Sequence, residues 1–161
     1  MSFIATPFTN DADTDQQSSI SNDGFFPDVD LNVMRDKTRI DGTVTDDRLI
    51  DATVSAMIHV NSELRSYKDA RIAAGITQLQ DVEAPKINKV STLVSHYLRA
   101  VYCTAKADLI ERYTDYDTTA TSLDDKKLVG WLSNGPDEQR RNAQWAISDI
   151  VGRPHVTVEL I

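Results

Sequence analysis

The chain has 161 residues, 25 acidic against 17 basic side chains, and a formal net charge of −8. That balance excludes a strongly basic nucleic-acid or membrane binder. No run of about 18 apolar residues could span a bilayer, and the single cysteine, Cys103, excludes an intrachain disulfide and fits a reducing compartment. The first 15 residues hold no Lys or Arg and no long apolar stretch, so they do not read as a secretory signal. With 40% hydrophobic residues, the chain reads as a soluble, acidic, intracellular protein with one core.

The acidity is uneven. Residues 1–47 hold ten Asp against three bases (Arg35, Lys37 and Arg39), whereas residues 48–161 hold 15 acids and 14 bases. Residues 1–24 carry four Asp, no base and many Ser, Thr, Asn and Gln. Such a stretch buries too little apolar surface to offset its ordering entropy, so 1–24 is expected to be a flexible acidic arm. Phe25-Phe26-Pro27 then reads as an anchor, either onto the chain's own helices or across a subunit boundary. Pro27 keeps Phe26 extended. Asp30 is placed to cap a short helix from Leu31 to about Ile40, closed by Gly42.

A first long helix is expected over about 46–74, with an apolar stripe of Leu49, Thr53, Met57, Val60, Leu64, Tyr67 and, after a phase drift, Ile72. Asp46 and Asp47 suit the positive end of its dipole, and Gly75 suits its end. A connector containing Pro85 leads to a second long helix over about 86–115, with the stripe Val90, Leu93/Val94, Tyr97, Val101, Thr104/Ala105, Asp108/Leu109 and Tyr113. Ala100, Ala105 and Ala107 are small enough to let a neighbouring helix come close. Ser122 can cap a short helix to about Leu132. Asn134-Gly135-Pro136 is a break, and Pro136 suits the first turn of a last helix over about 136–151. Ala143, Ala146, Ile147, Ile150 and Val151 form its inner face, and Gly152 and Pro154 stop it. Val156-Thr157-Val158-Glu159-Leu160-Ile161 alternates at period two, as a strand does. The expectation is an all-α body of two long antiparallel helices and two or three shorter ones, over residues 25–154. It carries an extended N-terminal arm and a lone C-terminal strand, residues 155–161. A lone strand needs another chain to pair its N–H and C=O groups.

No nucleotide-binding glycine loop, zinc-protease or Cys-x-x-Cys motif occurs. Asp11-x-Asp13-x-Asp15 begins like a calcium loop, but Gln16 and Asn22 stand where Gly and Glu are needed. His59, His96 and His155 have no partner at i+3 or i+4; His59 and His96 could meet across the long helices, but structural histidines outweigh a metal site. Cys103 reads as a small buried hydrophobe. Glu63, Asp108 and Glu111 read as helix-surface acids beside Arg65, Lys106 and Arg112. Arg65, Lys68 and Arg71, with Arg140 and Arg141, form weak basic clusters on solvated helical faces. No catalytic, cofactor or metal site is expected.

Four blocks in order do carry a resemblance. They are Phe25-Phe26-Pro27-Asp28-Val29-Asp30; Arg48-Leu49…Met57…Asn61-Ser62-Glu63-Leu64; Arg99-Ala100-Val101…Glu111-Arg112-Tyr113; and Trp145-Ala146-Ile147-Ser148-Asp149-Ile150…Gly152…Pro154 running into Val156–Ile161. Over residues 25–161 the chain resembles the phage head completion family, the gpL type of peduovirus-like contractile-tailed phages. Two positions depart from the pattern: His155 stands where a basic residue is expected, and Thr114 stands where Arg is usual. The resemblance implies a virion structural protein without catalysis or cofactor, with a fold of the helical head–tail adaptor type. It implies assembly in the host cytoplasm into the head–tail neck, in twelve copies matching the portal, after DNA packaging. The implied partners are the portal protein, a tail terminator or neck stopper protein, and other copies of itself. Packaged double-stranded DNA would pass through the lumen without specific binding, and no membrane is involved. Val156, Thr157, Val158, Glu159, Leu160 and Ile161 would then add as a strand to the portal or a neighbouring subunit. The alternatives are a stopper or tail-terminator ring protein and an acidic helical regulatory binding module.

Overall fold

The computed structural model describes residues 18–40, 44–117 and 135–155, with the backbone alone for 113–117. The expected helix over 122–132 and residues 156–161 of the expected strand 155–161 lie outside the described residues, as do residues 1–17 of the arm; His155 itself is described and is not in a strand. The protein is mostly helical, with five helices among the described residues: α1 (Leu31–Thr38), α2 (Asp46–Glu63), α3 (Arg65–Ala73), α4 (Thr92–Asp117) and α5 (Pro136–Val151). Two small antiparallel pairs, β1 (Ser19–Ile20) with β2 (Val29–Asp30) and β3 (Lys86–Ile87) with β4 (Val90–Ser91), qualify the all-α expectation.

α4 is the centre of the body, and at 26 residues it runs about 39 Å. α2 packs antiparallel against it: Asn61 near the end of α2 meets Tyr97 near the start of α4, while Ser55 and His59 face Thr104 and Asp108. α5 lies antiparallel along another side, with His96 reaching Asp149 and Glu111 reaching Arg140. Because α4 is covered from two directions, Tyr97, Ala100, Val101, Tyr102, Ala105, Ala107, Leu109 and Ile110 are all buried. The alanines keep its surface low where its neighbours cross, as their size suggests. On α5, Ala143, Ala146, Ile147 and Ile150 are buried, and Gly152 ends the helix at φ 76°.

Three sequence expectations change. The stripe of the first long helix holds from Leu49 through Leu64, but the helix breaks at Leu64 (φ −92°, ψ 5°) into α2 and α3. Leu64 is buried, whereas α3 buries no residue fully and Ile72 is exposed. The phase drift marks the place where the chain leaves the core. Second, the segment read as the first turn of α4 is a hairpin: Asn88 and Lys89 both have positive φ (51° and 65°), the pattern of a type I′ turn, and the helix starts only at Thr92. Third, α1 ends before Gly42, with Arg39 in the left-handed conformation and its N–H bonded to the Arg35 carbonyl. The cap at its start is as read: the Asp30 carboxylate accepts from the N–H groups of Asn32 and Val33 at 2.8 and 3.0 Å. Arg35 ties α1 to the start of α2 by donating to the Val44 carbonyl and the Asp46 carboxylate.

The end of the arm is built into this body. Ser19–Ile20 pairs with Val29–Asp30, Ile20 is buried, and the Ser18 carbonyl accepts from Leu31 N–H. The side chains of Asn22, Asn61 and Tyr97 close a ring of hydrogen bonds. Asn22 Nδ2 donates to Tyr97 Oη (2.7 Å), Tyr97 Oη to Asn61 Oδ1 (2.6 Å), and Asn61 Nδ2 to Asn22 Oδ1 (2.9 Å). The arm boundary placed at Gly24 thus falls inside an ordered turn; composition hid it, because Asn22 and Asp23 find their partners on distant parts of the body, at Tyr97, Asn61 and Lys68.

Replacing Tyr97 with Phe keeps the ring but leaves two asparagine amides short of a partner. The variant is expected to lose about 1–3 kcal/mol, read as a lower urea midpoint with an unchanged m-value. An Asp30→Ala change is expected to cost about 1 kcal/mol through the lost cap, measured the same way.

Candidate functional site

The residues expected to act fall in two places: the Phe25-Phe26-Pro27 turn, and the end of α5 where the chain leaves toward Val156. At the first, Asp23 makes the turn. Its Oδ1 accepts from the N–H groups of Phe25 and Phe26 at 3.1 Å each, and Gly24 between them sits at φ 89°, where a side chain would be strained. The turn drives both rings inward. Phe25 and Phe26 are 4% and 3% exposed and meet edge to face. Phe26 stacks on Tyr97 with ring centroids 4.7 Å apart. The Phe25 carbonyl accepts from Leu79 N–H, which pins the short 3-10 turn Leu79–Asp81 below it. The structure therefore places Phe25 and Phe26 on the chain's own helices, with Pro27 only half-buried.

Lys68 on α3 donates to Asp23 Oδ2 at 2.7 Å. Partial burial pushes the Asp23 carboxyl up, but the Lys68 ammonium and the N–H groups of Phe26 and Phe25 outweigh it and hold the group below the ordinary carboxylate value. Arg71 lies over the Tyr67 ring, 4.8 Å from its centroid. On the other face Arg140 makes a two-pronged pair with Glu111, and Arg141 lies over Trp145. Four of the five basic residues singled out from the sequence thus have intramolecular partners.

At the end of α5, His155 stacks on the Trp145 ring (5.2 Å, 6° between planes) and its Nε2 lies 2.9 Å from Asp149 Oδ1. His96 Nδ1, from α4, lies 3.5 Å from the other Asp149 oxygen. His96 and His59 do not meet; His59 instead lines a shallow pocket with Ser55, Thr104 and Asp108. Among the described residues no group of three or more His, Cys, Asp or Glu is arranged to hold a metal ion. The clasp on His155 was not visible in the sequence, since an i, i+6 contact across a Gly-Arg-Pro exit follows no helical spacing. Val156, Thr157, Val158, Glu159, Leu160 and Ile161 continue from it and lie outside the described residues.

Cys103 is half-buried on α4; burial pushes its thiol up, with Arg99 and Lys106 pulling the other way. A raised thiol is a poor nucleophile. Among the described residues, apolar side chains are exposed at Val33 on α1, at Val54 and Ile58 on the outer face of α2, at Ile72 on α3, and at Ile87 and Val90 on the hairpin. No helix of the described residues is long and apolar enough to cross a membrane.

The body is mostly helical, with an aromatic turn packed inward, apolar side chains exposed on its surface and no metal cluster among the described residues, which is the make-up of a structural rather than a metal-dependent protein. Its sequence pattern says which proteins it belongs with. Residues 20–161 match the model of the phage head completion protein (GPL) family, and the chain belongs to that family. It is 40% identical over 142 residues to the head completion/stabilization protein of Escherichia phage P2, covering 88% of this chain and 82% of that relative. No solved structure matches.

Removing the Asp23 carboxylate with Asp23→Ala should cost about 1 kcal/mol at neutral pH. Its folded-state value lies below 3.8, so the stabilisation is present above pH 3.8 and is lost as pH falls through the folded value. Wild type and variant should converge in urea midpoint below that range.

Proposed function

We propose that this head completion protein is a ring-forming adaptor. It docks beneath the portal after packaging, helps retain the genome, and offers the surface to which the tail joins. The observation that carries this reading is the extent of the family match, which runs through the helical body and on to Ile161. Supporting it, the body fixes the point from which the last residues follow: His155 is held by Asp149 and Trp145 immediately before the alternating Val156-Thr157-Val158-Glu159-Leu160-Ile161. In this reading that segment adds as a strand to the portal or to the next copy, main-chain hydrogen bonds supplying affinity and Val156, Val158 and Leu160 supplying fit.

A ring made from one chain needs two different faces that bind each other. The exposed ridge of Val54 and Ile58 and the exposed hairpin residues Ile87 and Val90 are suited to such heterologous contacts. The acid excess would line a channel with a field that repels DNA rather than grips it; a basic lumen in a reconstruction of the neck would contradict this. The stopper and tail-terminator readings place the same protein one ring lower, and isolation of portal complexes bearing this chain separates them from the adaptor reading.

Deleting residues 156–161 is expected to leave the far-ultraviolet circular dichroism spectrum helical while abolishing the joining of tails to filled heads in an in vitro complementation assay. A truncated protein that still completes heads would refute strand addition.

A further inference from the structure

We propose that the groove between the end of α1, the β3–β4 hairpin and the middle of α4 is the docking site of the chain's own acidic N-terminal segment, residues 3–15. The groove has a volume of about 660 Å³. Leu98 and Tyr102 line it, and Ile87 and Val90 form an apolar lip that is 72% and 45% exposed. Lys37, Arg99 and Lys106 line it as well, and none of the three is in an ion pair with a carboxylate among the described residues. Among the described residues Arg99 is held by the Asn142 amide oxygen at 3.3 Å and by the Cys103 thiol. Lys106 is half-buried, and burial pushes its ammonium below the ordinary lysine value; Cys103 and Glu138 only partly oppose this, and the nearby Arg39 adds to it. An apolar groove with unneutralised cations calls for a segment that carries both acidic and apolar side chains.

Residues 1–17 have that chemistry. They carry Asp11, Asp13 and Asp15, no Lys or Arg, and the apolar side chains Phe3, Ile4 and Phe8. Their point of attachment is close. The Ser18 carbonyl bonds to Leu31 N–H at the start of α1, and α1 ends at the groove wall, Lys37–Thr38, eight residues and about 12 Å away. Asp30, paired to Ser19, is near enough to act electrostatically on the Tyr102 hydroxyl inside the groove. An extended chain covers about 3.3 Å per residue, so Asp15 can extend about 10 Å and Asp11 about 23 Å from Ser18. In the docked arrangement the aspartates would reach the cations of the groove, and Phe8, Ile4 and Phe3 its apolar lip. The family match starts at residue 20, so this docking is a property of this chain's extension and does not depend on the adaptor reading.

Cys103 lines the groove and is the chain's one cysteine, which makes it a reporter. The experiment measures the rate at which a small maleimide labels Cys103 in the full chain. Asp11→Asn, Asp13→Asn and Asp15→Asn together should raise that rate roughly fivefold. About 1 M NaCl should raise the wild-type rate toward the variant's and leave the variant's unchanged. Lys37→Glu, an exposed position outside the core, should act like the triple change. Equal rates in wild type and triple variant, with matching circular dichroism, would overturn the proposal. Protection that grows with protein concentration would place the segment in a second copy and overturn the own-chain assignment.

Discussion

The body is organised around the hydroxyl of Tyr97. The side chain is fully buried, and a buried hydroxyl without a partner costs more than its ring gains in packing at the margin. Here it is both donor and acceptor in a closed ring with Asn22 and Asn61, and Asn22 also donates to the Pro27 carbonyl. Three stretches far apart in sequence are thereby fixed relative to one another: the segment before the first phenylalanine, the end of α2 and the start of α4. The stacking of Phe26 on the same tyrosine adds an apolar contact to the polar one. A network in which every member is satisfied gives a single geometry, since no alternative packing meets all of its bonds.

That node also explains the division of labour along the chain. Below it, α2, α4 and α5 bury their small and branched side chains in one core. Outside it, the protein keeps apolar groups exposed on α2 and on the hairpin, and it holds His155 in a clasp of Trp145 and Asp149. A rigid centre with uncovered edges is the arrangement expected of a part whose remaining surface is completed by assembly.

Much of the architecture was legible before the structure. The Asp30 cap, the start of α5 at Pro136 and its end at Gly152 are local, because each depends on backbone groups within a few residues. The buried stripe from Leu49 to Leu64 is legible for the same reason: helical period places those residues on one face whatever the partner. The drift at Ile72 was visible too, but that it meant a break at Leu64 was not, since a helix continuing in solvent and a helix turning away share the pattern. The Asn88-Lys89 turn was missed because lysine stands where glycine would announce a type I′ hairpin.

Composition alone marked the first 24 residues as too polar to order, and for a segment taken by itself that inference is sound. The decision belonged to tertiary structure: Asn22 and Asp23 find Tyr97, Asn61 and Lys68, whose positions no local rule could supply. In the same way the sequence determined that the chain is acidic, mostly helical and patterned like a phage head completion protein. Only the fold decided that Phe25 and Phe26 face inward and that the histidine before the terminal strand-like segment is clasped. Local signals follow from backbone geometry, which every residue carries with it; these contacts follow from which distant groups complete one another's hydrogen bonds and burial.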